Sequence, residues 1–264
     1  MKTKLTVFLC AVLILDLLAS VSLALKSQTP PSRTQKLSPL EKAEEDFYTV
    51  VDFDSALPAD ANERTRHQAR AKRADMPSRK GVDPSRFAID EQRESSFGSP
   101  PTDTPVEVAL PTSQSDAIVI GFVSEAKAFL SNDRTAVISE FTVRVEETLK
   151  NNPLTAIKIG DSLLTLRAGG GVRFASGKII REGQSGKPLP KQGHRYILFL
   201  KFNNDEGRDY SILTAYELDA GKVSALDGVN LAGEVQPQYS AYRKYDGADE
   251  YGFLQAVRNA ITHN

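Results

Sequence analysis

The stretch HRYILFLKF, residues 194–202, decides the fold together with the later stretch YSILTAYEL, residues 210–218. The first stretch carries apolar side chains on both of its alternating faces, namely Tyr196, Leu198, Leu200 and Phe202 on one and Ile197 and Phe199 on the other. This pattern is typical of a strand that is buried on both sides. The segment NNDEGRD between the two stretches is polar and contains Gly207, as expected of a turn. The two stretches therefore predict a long β-hairpin at the centre of a β-domain.

Three further strands and a short hairpin precede this central hairpin. Residues 117–129 form an apolar run interrupted by Gly121, which predicts a bulge or a bend where another strand crosses closely. Residues 137–146 alternate, with Val137, Phe141, Val143 and Val145 on the apolar face, Ser139 between them, and charged or polar residues from Glu140 to Glu146 on the other face. One face of this strand is therefore expected on a core and the other in water. Leu164 and Leu166 indicate a third strand, and residues 172–180 a short hairpin.

The chain after the central hairpin predicts a short strand at residues 222–226 and then a C-terminal helix. Either Asp246 or Asp249 can cap this helix, and its apolar stripe is Phe253, Leu254, Val257, Ala260 and Ile261. Short turns and the absence of βαβ alternation favour a mainly β fold, an antiparallel barrel or barrel-like sandwich in residues 110–264. Its expected core includes Phe141, Val143, Val145, Leu198, Leu200, Ile212 and Phe253.

The phrases SDAIVIGFV, EFTVRVEETLK, GDSLLTL and GHRYILFL, within residues 115–226, resemble the oligonucleotide/oligosaccharide-binding (OB) barrel, particularly its netrin-module and metalloproteinase-inhibitor branch. They are also similar to uncharacterised exported bacterial β-barrel proteins. The resemblance implies an OB-like barrel whose partners lie across one sheet face and the loops at its rim. The inhibitor branch binds metal through a cysteine at the mature N-terminus. The single cysteine here, Cys10, lies in the N-terminal apolar segment, so that mechanism does not carry over.

Residues 1–24 have the pattern of a signal peptide. Lys2 and Lys4 precede an apolar core, and Ser22 and Ala24 fit the small-x-small rule for cleavage. The alternative is an uncleaved anchor, against which Asp16 near the centre of the segment argues. We therefore expect a secreted, periplasmic or cell-envelope protein with no stable membrane span after cleavage.

Residues 25–109 are rich in Pro, Ser, Arg and Asp, and they predict a low-complexity stalk that is largely disordered or partly helical. Within it, residues 64–80 carry the basic side chains Arg64, Arg66, Arg70, Lys72, Arg73, Arg79 and Lys80. This run is either a patch for an anionic surface or a solvated linker. No aromatic residue interleaves the basic ones, and the formal net charge of the whole chain is −1, so nucleic acid is not an expected partner.

A second basic stretch spans residues 167–195, in which Glu182 is the only acid. We predict that its cations line the barrel rim and bind an anionic envelope polymer or an acidic protein. The candidate binding residues are Arg167, Arg173, Lys178, Arg181, Lys191 and Arg195, with Lys187 between them. The alternative is a loop that is merely mobile and soluble.

The sequence offers little for catalysis. His67, His194 and His263 have no chelating spacing, so neither a metal nor another cofactor is expected. Ser185 and His194 could belong to a hydrolytic triad, but a nucleophile elbow needs glycine two residues after the serine, where Lys187 stands. The sequence therefore favours an exported, non-enzymatic binding or interaction module. The alternatives are a hydrolase using Ser185 and His194, and an envelope spacer or adhesin without a small-molecule ligand.

Overall fold

The computed structural model of the chain describes residues 49–75, 84–98, 108–184, 186–228 and 240–263. All of them belong to one compact unit, Pro39–Asn264. The predicted signal peptide, residues 1–24, and residues 25–48 of the predicted stalk lie outside the described residues. Among the described residues, no helix has both the length and the apolar character needed to cross a membrane.

The described strands and helices follow one another along the chain in this way. The strands are β1 (Val50–Asp52), β2 (Ser96–Gly98), β3 (Ala117–Leu130), β4 (Val137–Lys150), β5 (Ser162–Ala168), β6 (Gly170–Arg173), β7 (Ile179–Gln184), β8 (Arg195–Phe202), β9 (Tyr210–Asp219) and β10 (Lys222–Ala225). The helices are α1 (Ala61–Ala74), α2 (Ser240–Arg243) and α3 (Glu250–Thr262), with a 3₁₀ helix at Pro84–Phe87.

Five strands close into a barrel. β3 pairs with β4 on one side and with β8 on the other, β4 pairs with β5, and β8 and β9 form the predicted hairpin. The ring closes because β5 also pairs with β9 in parallel, with Leu166 opposite Ser211. β10 extends this sheet beyond β9. The prediction of a mainly β fold with an OB-like barrel and a C-terminal helix is therefore confirmed.

Gly121 sits where β3 crosses β4 most closely. The register between the two strands shifts at this glycine, as the sequence predicted. A Cβ atom built there would lie 2.6 Å from Val143 Cγ1 and 2.7 Å from the Arg144 carbonyl oxygen. Only glycine lets the two backbones approach this closely, and the resulting bend helps the long strand β3 to serve two neighbours in the ring.

The central strand β8 is buried on both faces, as predicted. Leu198 and Leu200 point into the barrel and are fully buried there, and Phe199 packs on the outer face beneath α3. Asp249 caps α3 by accepting a hydrogen bond from the Gly252 amide at 2.9 Å. The other predicted core residues are also buried, namely Phe141, Val143, Val145, Ile212 and Phe253.

A second sheet has the strand order β1-β6-β7-β2. Its centre is the predicted hairpin, β6 and β7, and its two parallel edge strands come from residues 49–98. Val51, Ile89, Val172 and Ile180 form a shared buried cluster. Residues 49–98 belong to the predicted stalk, 25–109, but their described parts, 49–75 and 84–98, contribute strands and a helix that pack with the rest of the folded unit. The predicted boundary at residue 109 therefore falls inside the folded unit.

Candidate functional site

The predicted cationic rim does not assemble as one cluster. Arg167 is buried, with 6% of its surface exposed, and its Nη2 atom lies 2.5 Å from Asp227 Oδ1. Its Nη1 atom donates to the Pro188 carbonyl at 2.9 Å. A guanidinium held in this way faces the interior, so the prediction that Arg167 lines the rim is wrong.

Arg195 is engaged by two carboxylates on the outside of the barrel. Its Nε atom lies 2.7 Å from Glu146 Oε2 and its Nη1 atom 2.7 Å from Glu250 Oε1. Partial burial alone would lower the pKa of Arg195, but the hydrogen bonds to Glu250 and Glu146 raise it above its ordinary value. Arg195 therefore joins β8 to β4 and to the first turn of α3.

Three of the predicted cations share the β6–β7 hairpin, and segment 49–98 brings polar partners to them. Arg173 is half-exposed and lies 3.5 Å from Asp52 of β1. The Lys178 ammonium donates to the Glu91 and Arg93 carbonyls, at 2.6 and 3.3 Å. The Arg181 amide donates to the Ser95 hydroxyl at 3.0 Å. Lys191 lies apart from them, before β8, where its amide donates to the Tyr196 hydroxyl at 3.0 Å.

His194 lies beside a carboxylate, as a general base would need. Its Nδ1 atom is 2.6 Å from Glu217 Oε1, and both side chains are partly exposed. Ser185, the predicted nucleophile, lies outside the described residues, so the triad geometry stays a prediction. Among the residues that the structure describes, no group of three histidine, cysteine, aspartate or glutamate side chains is arranged to hold a metal ion.

The most developed polar site lies beneath helix α1, on the outer face of β4 and β5. OB barrels bind their partners on the face of the second and third strands and on two adjoining loops. The corresponding loops here are residues 131–136 and 203–209. α1 contacts both loops and the strand face between them. We call this surface the α1 face.

The floor of the α1 face is apolar and small. Ala71 of α1 is fully buried against a cluster formed by Phe129, Ile138 and Leu166, with Ala74 at its edge. At the first loop, the Asn132 side chain donates to the Gln68 carbonyl at 3.1 Å. The helix thus contributes alanines and polar groups to this contact, whereas the large apolar side chains belong to the barrel.

Arg70 is the centre of a buried ionic cluster on this face. Its side chain and that of Glu140 on β4 are each only 2% exposed, and Arg70 Nε lies 3.1 Å from Glu140 Oε2. Arg70 Nη2 also lies 2.6 Å from Glu63, and Lys127 lies 2.8 Å from the other Glu140 oxygen. Neither Arg70 Nε nor Glu140 Oε2 is aligned for a hydrogen bond with the other, so their attraction is mainly Coulombic.

Arg73, one turn further along α1, binds two carboxylates of the second loop. Its Nη1 atom lies 2.5 Å from Asp205 Oδ2, and its Nη2 atom lies 2.6 Å from both oxygens of the fully buried Asp209. Burial would raise the pKa of Asp205, but hydrogen bonds from Arg73 and from the Gly207 amide lower it. Hydrogen bonds between a charged guanidinium and carboxylates are stronger than those between neutral groups, and here one guanidinium bridges two carboxylates.

Gly207 allows the two aspartates to converge on Arg73. A Cβ atom built at this position would lie 2.6 Å from Asp209 Oδ2 and 3.0 Å from Asp205 Oδ1. Asp209 is further fixed by the Asn203 side chain, which donates to it at 2.7 Å. The polar turn NNDEGRD therefore does more than reverse the chain, because it builds an arginine-binding site.

His67 lies on the same side of α1, with its ring 4.8 Å from the ring of Phe129. Burial lowers the pKa of His67, and the neighbouring Arg70 lowers it further. The neutral imidazole is therefore the form that suits the docked helix.

Sequence reasoning missed this site because α1 carries no large aliphatic or aromatic residue. Its sequence is ANERTRHQARAKRA, in which the buried residues are Arg70 and Ala71. Two signals were available. Asp60 precedes the helix as an N-cap and accepts from the Glu63 amide at 2.8 Å, and the motif RAKRA spaces two arginines one turn apart over two alanines.

Comparisons with known proteins assign no family to this chain. No protein-family model matches the chain, and neither a curated protein nor a solved structure matches it. The function must therefore be argued from the site itself.

Proposed function

We propose that this protein is an exported, non-enzymatic interaction module that binds its partner on the α1 face of an OB-like barrel. One observation carries the proposal. A strand face and one adjoining loop, in the position that OB barrels use for partners, present three carboxylates, Glu140, Asp205 and Asp209, to arginines of a covering helix. The proposal of export is based on the signal-peptide pattern of residues 1–24. We also propose that the barrel is of the netrin-module type.

The charges on the α1 face favour recognition over permanent packing. Buried ion pairs contribute little net stability, because desolvation offsets much of their attraction, and apolar side chains of similar volume often do as well or better. A helix meant only to cover Ile138 and Leu166 would be held more simply by leucines than by Arg70 and Arg73. The observed pattern instead suits a contact that forms in one orientation and can be exchanged.

Three alternatives have weaker support. The His194–Glu217 pair supports a hydrolase, and turnover of generic ester, glycoside or peptide substrates that His194→Ala and Ser185→Ala abolish would establish it. An anionic partner for Arg173, Lys178 and Arg181 also stays a candidate, although acids and carbonyls of residues 49–98 lie beside these cations. A spacer role predicts that deleting residues 25–48 changes surface display and leaves partner binding unchanged.

The test uncovers the α1 face and then changes it. Ala71→Glu places a charged side chain against the apolar floor and should release α1, while Asp205→Lys reverses one carboxylate of the face. Asp219, exposed at the end of β9, supplies the matched control Asp219→Lys. Each variant is immobilised and exposed to the exported fraction of the source cells, and retained proteins are quantified by mass spectrometry.

We expect one protein to be retained about tenfold or more above wild type by Ala71→Glu, equivalent to roughly 1.4 kcal/mol. Adding Asp205→Lys should abolish this gain, and adding Asp219→Lys should not. The proposed function would be overturned if the amount of retained protein were the same for wild type and for all three variants, or if no protein were retained. If Ala71→Glu does not give a cooperative melt, Arg73→Glu releases the helix at its polar end instead.

A further inference from the structure

We propose that the α1 face is a receptor for a basic helix of a partner protein, and that α1 is its built-in competitor. The inference rests on the proposed function and specifies the partner's chemistry. The partner helix carries two arginines three residues apart, each followed by a small residue, and these take the places of Arg70 and Arg73.

The first step is the separation of two carboxylate sites along one helix face. Glu140 on β4 faces the first arginine, and Asp205 with Asp209 on the following loop faces the second. Residues three apart on a helix lie one turn apart on the same side. A single helix can therefore reach both sites with cationic side chains at the spacing of Arg70 and Arg73.

The second step concerns the floor between these sites. Ala71 and Ala74, one residue after each arginine, lie against the apolar cluster of Phe129, Ile138 and Leu166. Ala71 is fully buried, so a longer side chain at that position has no room unless the helix moves away. The face thus selects the pattern Arg-small-x-Arg-small and rejects an amphipathic helix with a leucine stripe.

The third step is that α1 is held partly by its connections to the rest of the chain. It buries Arg70 and Ala71, whereas the chain on either side is anchored by β1 and by the fully buried Ile89. Such tethering raises the effective concentration of a weak ligand without adding any contact. A helix of this length is marginal alone in water, so a partner that presents a preformed helix competes without the cost of ordering one.

The experiment uses a labelled synthetic peptide of residues 58–75, titrated by fluorescence anisotropy against the full chain. The protein is wild type or Ala71→Glu, with Arg73→Glu as a second released variant. One altered peptide carries Arg70→Gln and Arg73→Gln. The matched control peptide carries Arg66→Gln and Lys72→Gln, which remove the same charge from positions that are exposed in α1.

We expect the released variants to bind the native peptide about tenfold or more tightly than wild type, whose face is filled. The Arg70→Gln/Arg73→Gln peptide should lose about tenfold or more, and the control peptide should bind like the native one. Equal losses for both altered peptides would show general charge attraction, and no gain in either released variant would show no receptor. Either result overturns the inference.

Two further outcomes separate this inference from the proposed function. A protein that is captured through Asp205 but not displaced by the peptide keeps the proposed function and overturns the basic-helix partner. Peptide binding without any captured protein keeps the receptor chemistry and overturns the proposed function. If the wild-type protein forms dimers and the peptide dissociates them, the occupant of the α1 face is a second copy of the chain. That result would also overturn the inference of a separate partner protein.

Discussion

The Arg70–Glu140 pair gives the sharpest test of how α1 is held. Both side chains are 2% exposed, so removing one leaves the other charge buried. Breaking a buried pair in this way costs about 3–5 kcal/mol. Lys127 still lies 2.8 Å from Glu140 after Arg70 is removed, and its own side chain is 62% exposed. We therefore expect Arg70→Leu to cost less than that range, about 2–4 kcal/mol.

The assay is a double-mutant cycle on the full chain by urea unfolding. Glu140→Leu leaves Arg70 with one carboxylate, that of Glu63 at 2.6 Å. Because the Glu63 side chain is 42% exposed, it offsets the buried charge of Arg70 only in part. The double variant Arg70→Leu/Glu140→Leu removes both charges and should be more stable than either single variant. The expected coupling is about 2 kcal/mol or more, within the range found for residues in direct contact. Additive effects of the two substitutions would refute the reasoning, because they would mean that the two charges do not interact.

Three further predictions concern the core, the pH dependence and the hairpin cations. Leu200→Ala, at a fully buried position of β8, should cost about 2–5 kcal/mol in the same assay, and a loss below about 0.5 kcal/mol would place that strand on the surface. Burial lowers the pKa of His67 below 6.5, so the unfolded chain binds a proton at this site more readily than the folded chain does. The stabilising contribution of neutral His67 should therefore be complete above about pH 6.5 and should be lost as the pH falls through the lowered pKa. A His67→Gln variant whose stability has the same pH dependence as wild type would contradict this. If an anionic polymer binds the hairpin, salt should weaken the binding and charge reversal should abolish it, and unchanged affinity would exclude the predicted residues Arg173, Lys178 and Arg181.

The sequence predicted the barrel well where strands are long and their pattern is strong. β8 carries apolar side chains on both faces and β4 alternates from Val137 to Glu146, so both strands were identified. The face of β4 that was expected in water is instead covered by α1 at Ile138 and Glu140. The closure of the ring was not predictable, because it depends on the short parallel pairing of Leu166 with Ser211. Strands of three residues, such as Val50–Asp52, are too short to display any period.

The site was harder to predict than the fold, and Arg167 shows why. The sequence predicts a strand at Leu164 and Leu166 and places Arg167 on the cationic rim. In the structure both sides of β5 are covered, because α1 lies over Leu166 while Arg167 reaches the buried Asp227. The partner of a buried charge can lie far away in sequence, so local pattern alone does not reveal it.

The arginines of α1 do one thing that apolar side chains would not do as well, which is to fix the position of the helix along the face. Within α1, Arg70 and Arg73 are the only pair of lysine or arginine residues at a spacing of three. Sliding the helix by four residues would bring Arg66 toward Glu140 but would place Ala69 beside Asp205 and Asp209, leaving the fully buried Asp209 without its guanidinium. Sliding it by three residues would bring Arg70 to the aspartates and leave only His67 of α1 for the buried Glu140. An unpaired buried carboxylate is costly, whereas alanines could pack on the apolar floor in several positions. The ionic contacts therefore select one register of one helix, and a partner helix that satisfies the same two sites would be held in that register as well.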